Sequence, residues 1–435
     1  MTPCLESQRV ADVEAVDEKD LVLDHVFVLF RHGDRSPLHR RISSKVNMTQ
    51  HETDFWVSRL AELSVVETLN SGTQVVKYHE GDCKCDQELD LAPEPQQGGR
   101  WPCGQLTAKG IEMMRAKGQH LRERYTAFMV DMVDPIRQVH VQSTNIRRTI
   151  RSAQSLLAGL FPEYFENVTV DNMLAANAHL LPDSRSFLAN VQLHRSKVRK
   201  NGKFLIHADD ANSLAPQHAY ELYQDLGKLL VTELKQHPPS GFEEVRLSIS
   251  ELIGTRSRER VSWTGCSVLV REVLICRQAH GLAFPNGLNQ QLFAQICEYD
   301  AWLWHHLYGN MTFCRSSFKT GVERIYAYLL GVMKLTFTGE CQGIFKHKLS
   351  LFSAHDNSLV AFMNALQLQS PRVIPPYGAV LIFELFRHRN TGDFYLKVLY
   401  EGIEVTFPGH EHSALCPILV FHQAIQTFLQ SDAAS

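Results

Sequence analysis

The chain has 435 residues, 44% hydrophobic and 21% charged, an ordinary globular composition that excludes a disordered chain, a collagen-like repeat and a small disulfide scaffold. Lys+Arg 44 against Asp+Glu 47 gives a formal net charge of −3, which argues against a generic nucleic-acid coat; the 21 histidines would turn that charge positive as pH falls through about 6.5. No apolar run reaches the roughly 18 residues of a membrane-spanning helix.

Met1 to Asp20 contains no apolar segment and is acidic through Glu6, Asp12, Glu14, Asp17, Glu18 and Asp20, unlike a secretory signal or a mitochondrial transit peptide. The expectation is an acidic tail over 1–20 on a cytoplasmic protein, or an organellar or secretory one whose targeting segment lies outside the sequence. The 10 cysteines fit disulfides or none. N-glycosylation sequons at Asn47, Asn167 and Asn310 are too few to place the chain in the secretory pathway.

The first strong element is His25-Val-Phe-Val-Leu-Phe30, a short apolar run that reads as a buried strand. It stops abruptly at Arg31-His32-Gly33-Asp34-Arg35-Ser36-Pro37. Residues 66–105 lack periodicity and predict a long loop. A helix is predicted over Leu106–Tyr125, with Ile111, Met114, Gly118, Leu121 and Tyr125 on one face. Val139–Gln142 predicts a second buried strand, and Ser143, Thr144 and Asn145 offer N-caps to a helix carrying Ile150, Ala153, Leu157 and Leu160 on one face. Phe161-Pro162 ends it.

Residues 165–340 hold several helix-like stretches and few strand signals, predicting a largely helical cap or insertion. Lys348–Phe352 predicts a third strand, followed by Ser353-Ala-His355-Asp356 and a helix with Leu359, Phe362, Met363 and Leu366. Ala379–Glu384 and Asp393–Tyr400 flank Arg387–Gly392 as a hairpin. The expected architecture is a three-layer α/β/α core with a mainly parallel sheet, formed by 21–164 and 341–430 around the 165–340 insertion.

Three times a buried strand feeds a polar cluster that opens a helix. Ligands of open α/β sheets bind outside the carboxyl ends of the strands, so the clusters are expected to converge. Together they supply Arg31, His32, Arg35, Arg147, Arg148, His355 and Asp356. Three arginines around one pocket would neutralise a phosphate dianion and its in-line transition state. A histidine among them can carry the phosphoryl group covalently, and Asp356 is the carboxylate at hand to protonate the leaving alcohol. Arginines would do a metal's work, so neither metal nor cofactor is expected. The plainer readings are a solvated turn at Arg31–Arg35, surface charges at Arg147 and Arg148, and a helix N-cap at Asp356. A cation in a first helical turn opposes the macrodipole, however, and hints at a nearby anion.

Arg31-His32-Gly33-Asp34-Arg35-Ser36-Pro37 resembles the R-H-G-x-R-x-P signature of the histidine acid phosphatases. Gln105-Leu-Thr-Ala-Lys-Gly110, Ser143-Thr-Asn-Ile-Arg-Arg148-Thr149 and His355-Asp356 follow in the family's order. The resemblance implies His32 as the phosphorylated nucleophile, Arg31, Arg35, Arg148 and His355 as phosphate ligands, and Asp356 as the proton donor. Asn145-Ile-Arg147 departs from the Asp-x-Asp of many relatives and leaves the role of Arg147 open. Gly104-Gln-Leu-Thr, Ser143-Thr-Asn-Ile, Leu156–Phe161 and Ala176–Pro182 are most similar to lysophosphatidic acid phosphatases, whereas Tyr400–Phe407 is similar to phosphoxylose phosphatases.

The resemblance therefore implies metal-independent hydrolysis of small phosphomonoesters, a lysophospholipid among them, with the acyl chain's groove expected from 165–340. The rivals are a sugar- or inositol-phosphate phosphatase and a catalytically silent phosphate-binding module. Cys83, Cys85 and Cys103 lack zinc-site spacing. The basic stretch from His194 to Lys203 reads as a solvated face or a rim that attracts anions.

Overall fold

The computed structural model describes residues 18–77, 99–165, 202–209, 211–217, 232, 241–253, 263–285, 288–338, 347–411, 413 and 415–430. Cys83, Cys85, Asn167, Ala176–Pro182 and His194–Lys200 lie outside them.

In chain order the elements are β1 (Leu21–Arg31), α1 (Gln50–Ser58), α2 (Leu63–Ser71), β2 (Thr73–Lys77), α3 (Ala108–Arg124), β3 (Val139–Thr144), α4 (Arg147–Leu160) and β4 (Phe204–Asp209). Then come α5 (Phe242–Ile253), α6 (Trp263–Ala279), α7 (Gln290–Gly309), α8 (Met311–Thr338), β5 (Leu349–Ala354) and α9 (Asp356–Ala365). The chain closes with β6 (Val380–His388), β7 (Phe394–Tyr400), β8 (Ile403–Val405), β9 (Cys416–Pro417) and α10 (Ile418–Gln430). Short helical turns lie at Thr126–Val130 and Pro135–Gln138.

Among the described residues the strands form one sheet in the order β2-β4-β3-β5-β1-β6-β7-β8, with β9 also on β7. The run from β2 to β1 is parallel, and β6, β7, β8 and β9 add to it antiparallel. The continuously apolar β1 is apolar because both of its faces are covered. Phe27 and Leu29 join a core with α5–α10, whereas Val26, Val28 and Phe30 join a core with α3 and α4. That is the three-layer arrangement the sequence predicts. No helix among the described residues is long and apolar enough to cross a membrane.

The predicted helical stripe of α3 is buried at Ile111, Met114, Gly118, Leu121 and Tyr125, and β6 and β7 form the predicted hairpin.

Three expectations are corrected. Residues 66–105 are not all loop: α2 runs to Ser71, and β2 is an edge strand beside β4. Ser143 and Thr144 finish β3 instead of capping α4, whose N-cap is Ile146. Phe204–Asp209, inside the span read as helical, is a core strand between β2 and β3.

Candidate active site

The sheet order brings the three clusters together. β3, β5 and β1 are adjacent and parallel, so their carboxyl ends at Thr144, Ala354 and Arg31 open side by side. His32 anchors the junction: its N–H donates to the Ala354 carbonyl at 3.1 Å, and its own carbonyl accepts from Gly378 N–H at 3.1 Å.

The loop after β1 is fixed by close backbone approach. A Cβ on Gly33 would sit 2.5 Å from the Gly110 carbonyl oxygen, and one on Gly110 would sit 2.1 Å from that of Asp34. Only glycine allows this contact between the loop and α3. Thr107 caps α3 by accepting Gly110 N–H at 3.0 Å, and its hydroxyl donates to Asp34 Oδ2 at 2.5 Å. The Gln105–Gly110 motif therefore clamps the Arg31–Pro37 loop. Asp34 itself is consumed structurally, because Oδ2 also accepts from His280 Nε2 at 2.6 Å. On the other side, Gly33 N–H donates to Ser152 Oγ at 3.0 Å, tying the loop to α4.

All six predicted residues meet here. His32 Nδ1 lies 2.8 Å from the Gly33 carbonyl. A carbonyl only accepts, so the proton sits on Nδ1 and Nε2 keeps its lone pair. Burial, then the charges of Arg148, Arg31 and Arg35, hold this imidazole well below its usual pKa; it is neutral. The ring of His355 lies edge-on to it at 5.7 Å, with Nε2 3.2 Å from Thr144 Oγ1. Burial and then Arg148 lower His355 to about 3.

The arginines are almost fully buried: Arg31 is 3%, Arg35 5% and Arg148 8% exposed. Arg31 donates to the Pro375 carbonyl at 2.5 Å and pairs with Asp356 Oδ2 at 2.8 Å. Its guanidinium lies over the Tyr377 ring, 4.3 Å from the centroid. Arg148 is lowered by burial first and then by Arg35, to about 9, so it stays cationic at working pH. The Nε atoms of Arg31 and Arg35 are buried without an acceptor among the described residues, an arrangement an anionic ligand would satisfy. Arg147 is only half-buried, which favours Arg148 as the pocket residue.

Asp356 is not the N-cap of α9. That position belongs to His355, whose N–H donates to Ser358 Oγ at 3.2 Å; Asp356 is the first helical residue. Burial raises its pKa, but Arg31, Arg271 and Arg35 outweigh burial and the net shift is downward.

Three further pocket residues escaped the sequence reading. Tyr377 underlies Arg31 and lies 5.8 Å from the His32 ring. Glu272 pairs with Arg35. Arg271 pairs with the fully buried Asp300 at 2.8 Å and lowers Asp356. The available signal was Arg271-Glu272 embedded in the apolar run Val268–Cys276.

An α/β sheet that gathers the imidazoles of His32 and His355 and the buried guanidinium groups of Arg31, Arg35 and Arg148 at the carboxyl ends of its strands suits oxyanion chemistry. The chain belongs to the histidine phosphatase superfamily (branch 2), whose model matches residues 22–244 and 309–401, and it is accordingly a histidine acid phosphatase, a hydrolase of phosphomonoesters. Lysophosphatidic acid phosphatase type 6 of Bos taurus is 26% identical over 99% of this chain and 91% of its own length. Lysosomal acid phosphatase of Rattus norvegicus is 25% identical over 78% of this chain and 74% of its own. Among solved structures, the phytase of Hafnia alvei in complex with tartrate shares the fold with a TM-score of 0.56 at 13% identity, covering 94% of this chain and 98% of that one.

Proposed function

We propose that the protein hydrolyses phosphomonoesters through a phosphohistidine on His32 Nε2, and that a lysophosphatidate is among its substrates. The observation that carries the first part is the 2.8 Å contact of His32 Nδ1 with the Gly33 carbonyl, from which the tautomer is assigned. With Nδ1–H committed to the Gly33 carbonyl, Nε2 carries the lone pair, and burial with the neighbouring arginines lowers the pKa of the ring and so favours its neutral form. Arg31, Arg35, Arg148 and His355 hold the phosphoryl oxygens and neutralise charge as the P–O bond breaks.

The proton inventory follows from Asp356, whose carboxyl is ionised beside Arg31. A substrate bound as its monoanion brings the missing proton, since a phosphate monoester loses its second proton near about pH 6. Once the phosphoryl group takes over Arg31, its negative charge raises Asp356. The carboxyl then accepts that proton and passes it to the leaving oxygen as Nε2 forms the N–P bond. In the second half, the Asp356 carboxylate takes a proton from the water that attacks phosphorus, and His32 leaves. Activity on alkyl esters therefore falls as pH rises through about 6.

The lipid reading is supported by the name of the Bos taurus relative and by two exposed apolar side chains beside the pocket loops. Trp101 is 54% exposed next to Pro102, whose carbonyl accepts from Ser36 at 2.6 Å. Val373 is 47% exposed two residues before Pro375, the acceptor of Arg31. The test is kcat/KM for lysophosphatidate, glycerol phosphate, sugar phosphates and inositol phosphates. Lysophosphatidate is expected to exceed glycerol phosphate at least about tenfold, which asks only about 1.4 kcal/mol of acyl-chain burial. Equal values would refute the lipid reading and leave a broad-specificity phosphatase.

A further inference from the structure

We propose that Glu272 is a positioning residue for phosphate binding, fixing the Arg35 guanidinium so that helix α6 completes the pocket opened by the sheet. The proposal rests on the phosphatase reading above. Glu272 lies between the two stretches matched by the family model.

A single atom, Glu272 Oε1, accepts from Arg35 Nη1 and also from Leu38 N–H at 2.7 Å. The two paired side chains are 5% and 8% exposed. Arg35 Nη1 donates in addition to the Ser36 carbonyl at 3.0 Å. One arm of the Arg35 fork is thereby committed to holding residues 35–38 against α6, while Nε has no acceptor among the described residues. One turn further along α6, Cys276 Sγ lies 3.7 Å from Arg35 Nη1 and 3.3 Å from the Tyr377 hydroxyl. The Tyr377 ring centroid is 5.8 Å from the Arg35 guanidinium carbon. Arg35 is thus held through Nη1 by Glu272 and flanked by an aromatic ring, while its Nε–H lacks an acceptor among the described residues, which a bound anion could supply.

This arrangement opposes simple electrostatics. A carboxylate next to a phosphate site repels the dianion, so its direct effect is to weaken binding. Its indirect effect is to remove the rotamer freedom of a long side chain before the ligand arrives, which strengthens binding and aligns the transition state. The two effects have opposite signs, and removal of Glu272 reports which one dominates.

The experiment titrates inorganic phosphate calorimetrically and measures p-nitrophenyl phosphate turnover for wild type, Glu272→Ala, Glu272→Gln, Glu272→Asp, Arg35→Ala and the Arg35→Ala/Glu272→Ala pair, each with its melting temperature. Glu272→Ala is expected to weaken phosphate binding and kcat/KM by about 10–100-fold. Glu272→Gln keeps an oxygen that can accept both hydrogen bonds and is expected to stay within about fivefold of wild type. Glu272→Asp keeps the charge but withdraws it from Arg35, and is expected to lose as much as the alanine; it decides the matter if the alanine variant does not fold. In the Arg35→Ala background, loss of Glu272 is expected to cost nothing further.

Phosphate binding in Glu272→Ala or Glu272→Asp as tight as or tighter than in wild type would overturn the proposal. So would losses that multiply in the double variant. A wild-type protein that binds phosphate but turns over no phosphomonoester would fail the phosphatase reading instead, while the phosphate titration would still read Glu272.

Discussion

Asp356→Ala separates proton donation from phosphate binding. In the resting site its carboxylate lies 2.8 Å from Arg31 Nη2 and competes with substrate for that guanidinium. At roughly 4 Å between charge centres and an effective dielectric near 20, that attraction is about 4 kcal/mol before desolvation. Removing it frees Arg31, so inorganic phosphate is expected to inhibit the variant at least as strongly as wild type. Phosphoryl transfer to His32 goes the other way, and by an amount set by the leaving group. A departing alkoxide, with a conjugate-acid pKa of about 14–16, needs the proton and loses about 10²–10⁴-fold; nitrophenolate, near about 7, hardly needs it and loses less than about tenfold. In energy the contrast is roughly 2–4 kcal/mol of transition-state stabilisation. The assay is kcat/KM for glycerol phosphate and for p-nitrophenyl phosphate at one pH, which reads only the steps up to departure of the leaving group and not hydrolysis of the phosphohistidine, with the phosphate inhibition constant measured alongside. Equal losses on both substrates, or weakened phosphate inhibition, would make Asp356 a binding residue and refute the reasoning.

The two neighbouring arginines of α4 are expected to diverge. Arg148→Ala removes a buried charge-assisted contact of about 1.5–3 kcal/mol and should raise the vanadate inhibition constant at least tenfold, whereas the half-buried Arg147 should matter little on mutation to alanine; the reverse order, read by vanadate inhibition, would mean the register of this motif is wrong. At the opposite end of the strands, His140 stacks on His207, Tyr328 and His347 at 5.0, 4.7 and 5.2 Å, and Tyr328 and Ser350 link His347 to His25. Burial and neighbouring imidazoles hold His140 well below its usual pKa and His347 at about 4. The unfolded chain then binds protons first, so stability is complete above about pH 6.5 and is lost as pH falls toward about 4. At pH 5 His347 costs about 2 kcal/mol, and His140 adds a penalty of the same sign. His140→Phe keeps a stacked ring and should shrink the difference in urea stability between pH 7.5 and 5.0; an unchanged difference would contradict it.

The six proposed site residues were legible because each stands in sequence where a buried strand ends, and strand order carries those ends to one place. The residues that support them were not. Glu272 meets Arg35 across 237 positions, and nothing periodic in an apolar helix announces that one of its charges will be paired. Tyr377 sits in Pro375-Pro376-Tyr377-Gly378, which reads as a turn, and only the Gly378-to-His32 backbone bond brings it beneath the arginines. β4 was missed because six residues behind a lysine carry too little pattern to outweigh the helical character of their surroundings. The helix cap at α4 was misread because Ser143 and Thr144 are good N-caps in isolation, yet strand pairing to β4 and β5 consumes the Ser143 backbone. Thr144 instead turns its hydroxyl toward His355 and Thr149.

Rapid quenching of the enzyme with a ³²P-labelled phosphomonoester, followed by mapping of the labelled peptide, tests the phosphohistidine most directly. The account predicts an acid-labile, base-stable phosphoryl group on His32, absent from His32→Ala, formed with excess EDTA present, and accumulating when Asp356 is replaced in reactions with p-nitrophenyl phosphate. Full turnover in His32→Ala, or a label on any other side chain, would contradict it.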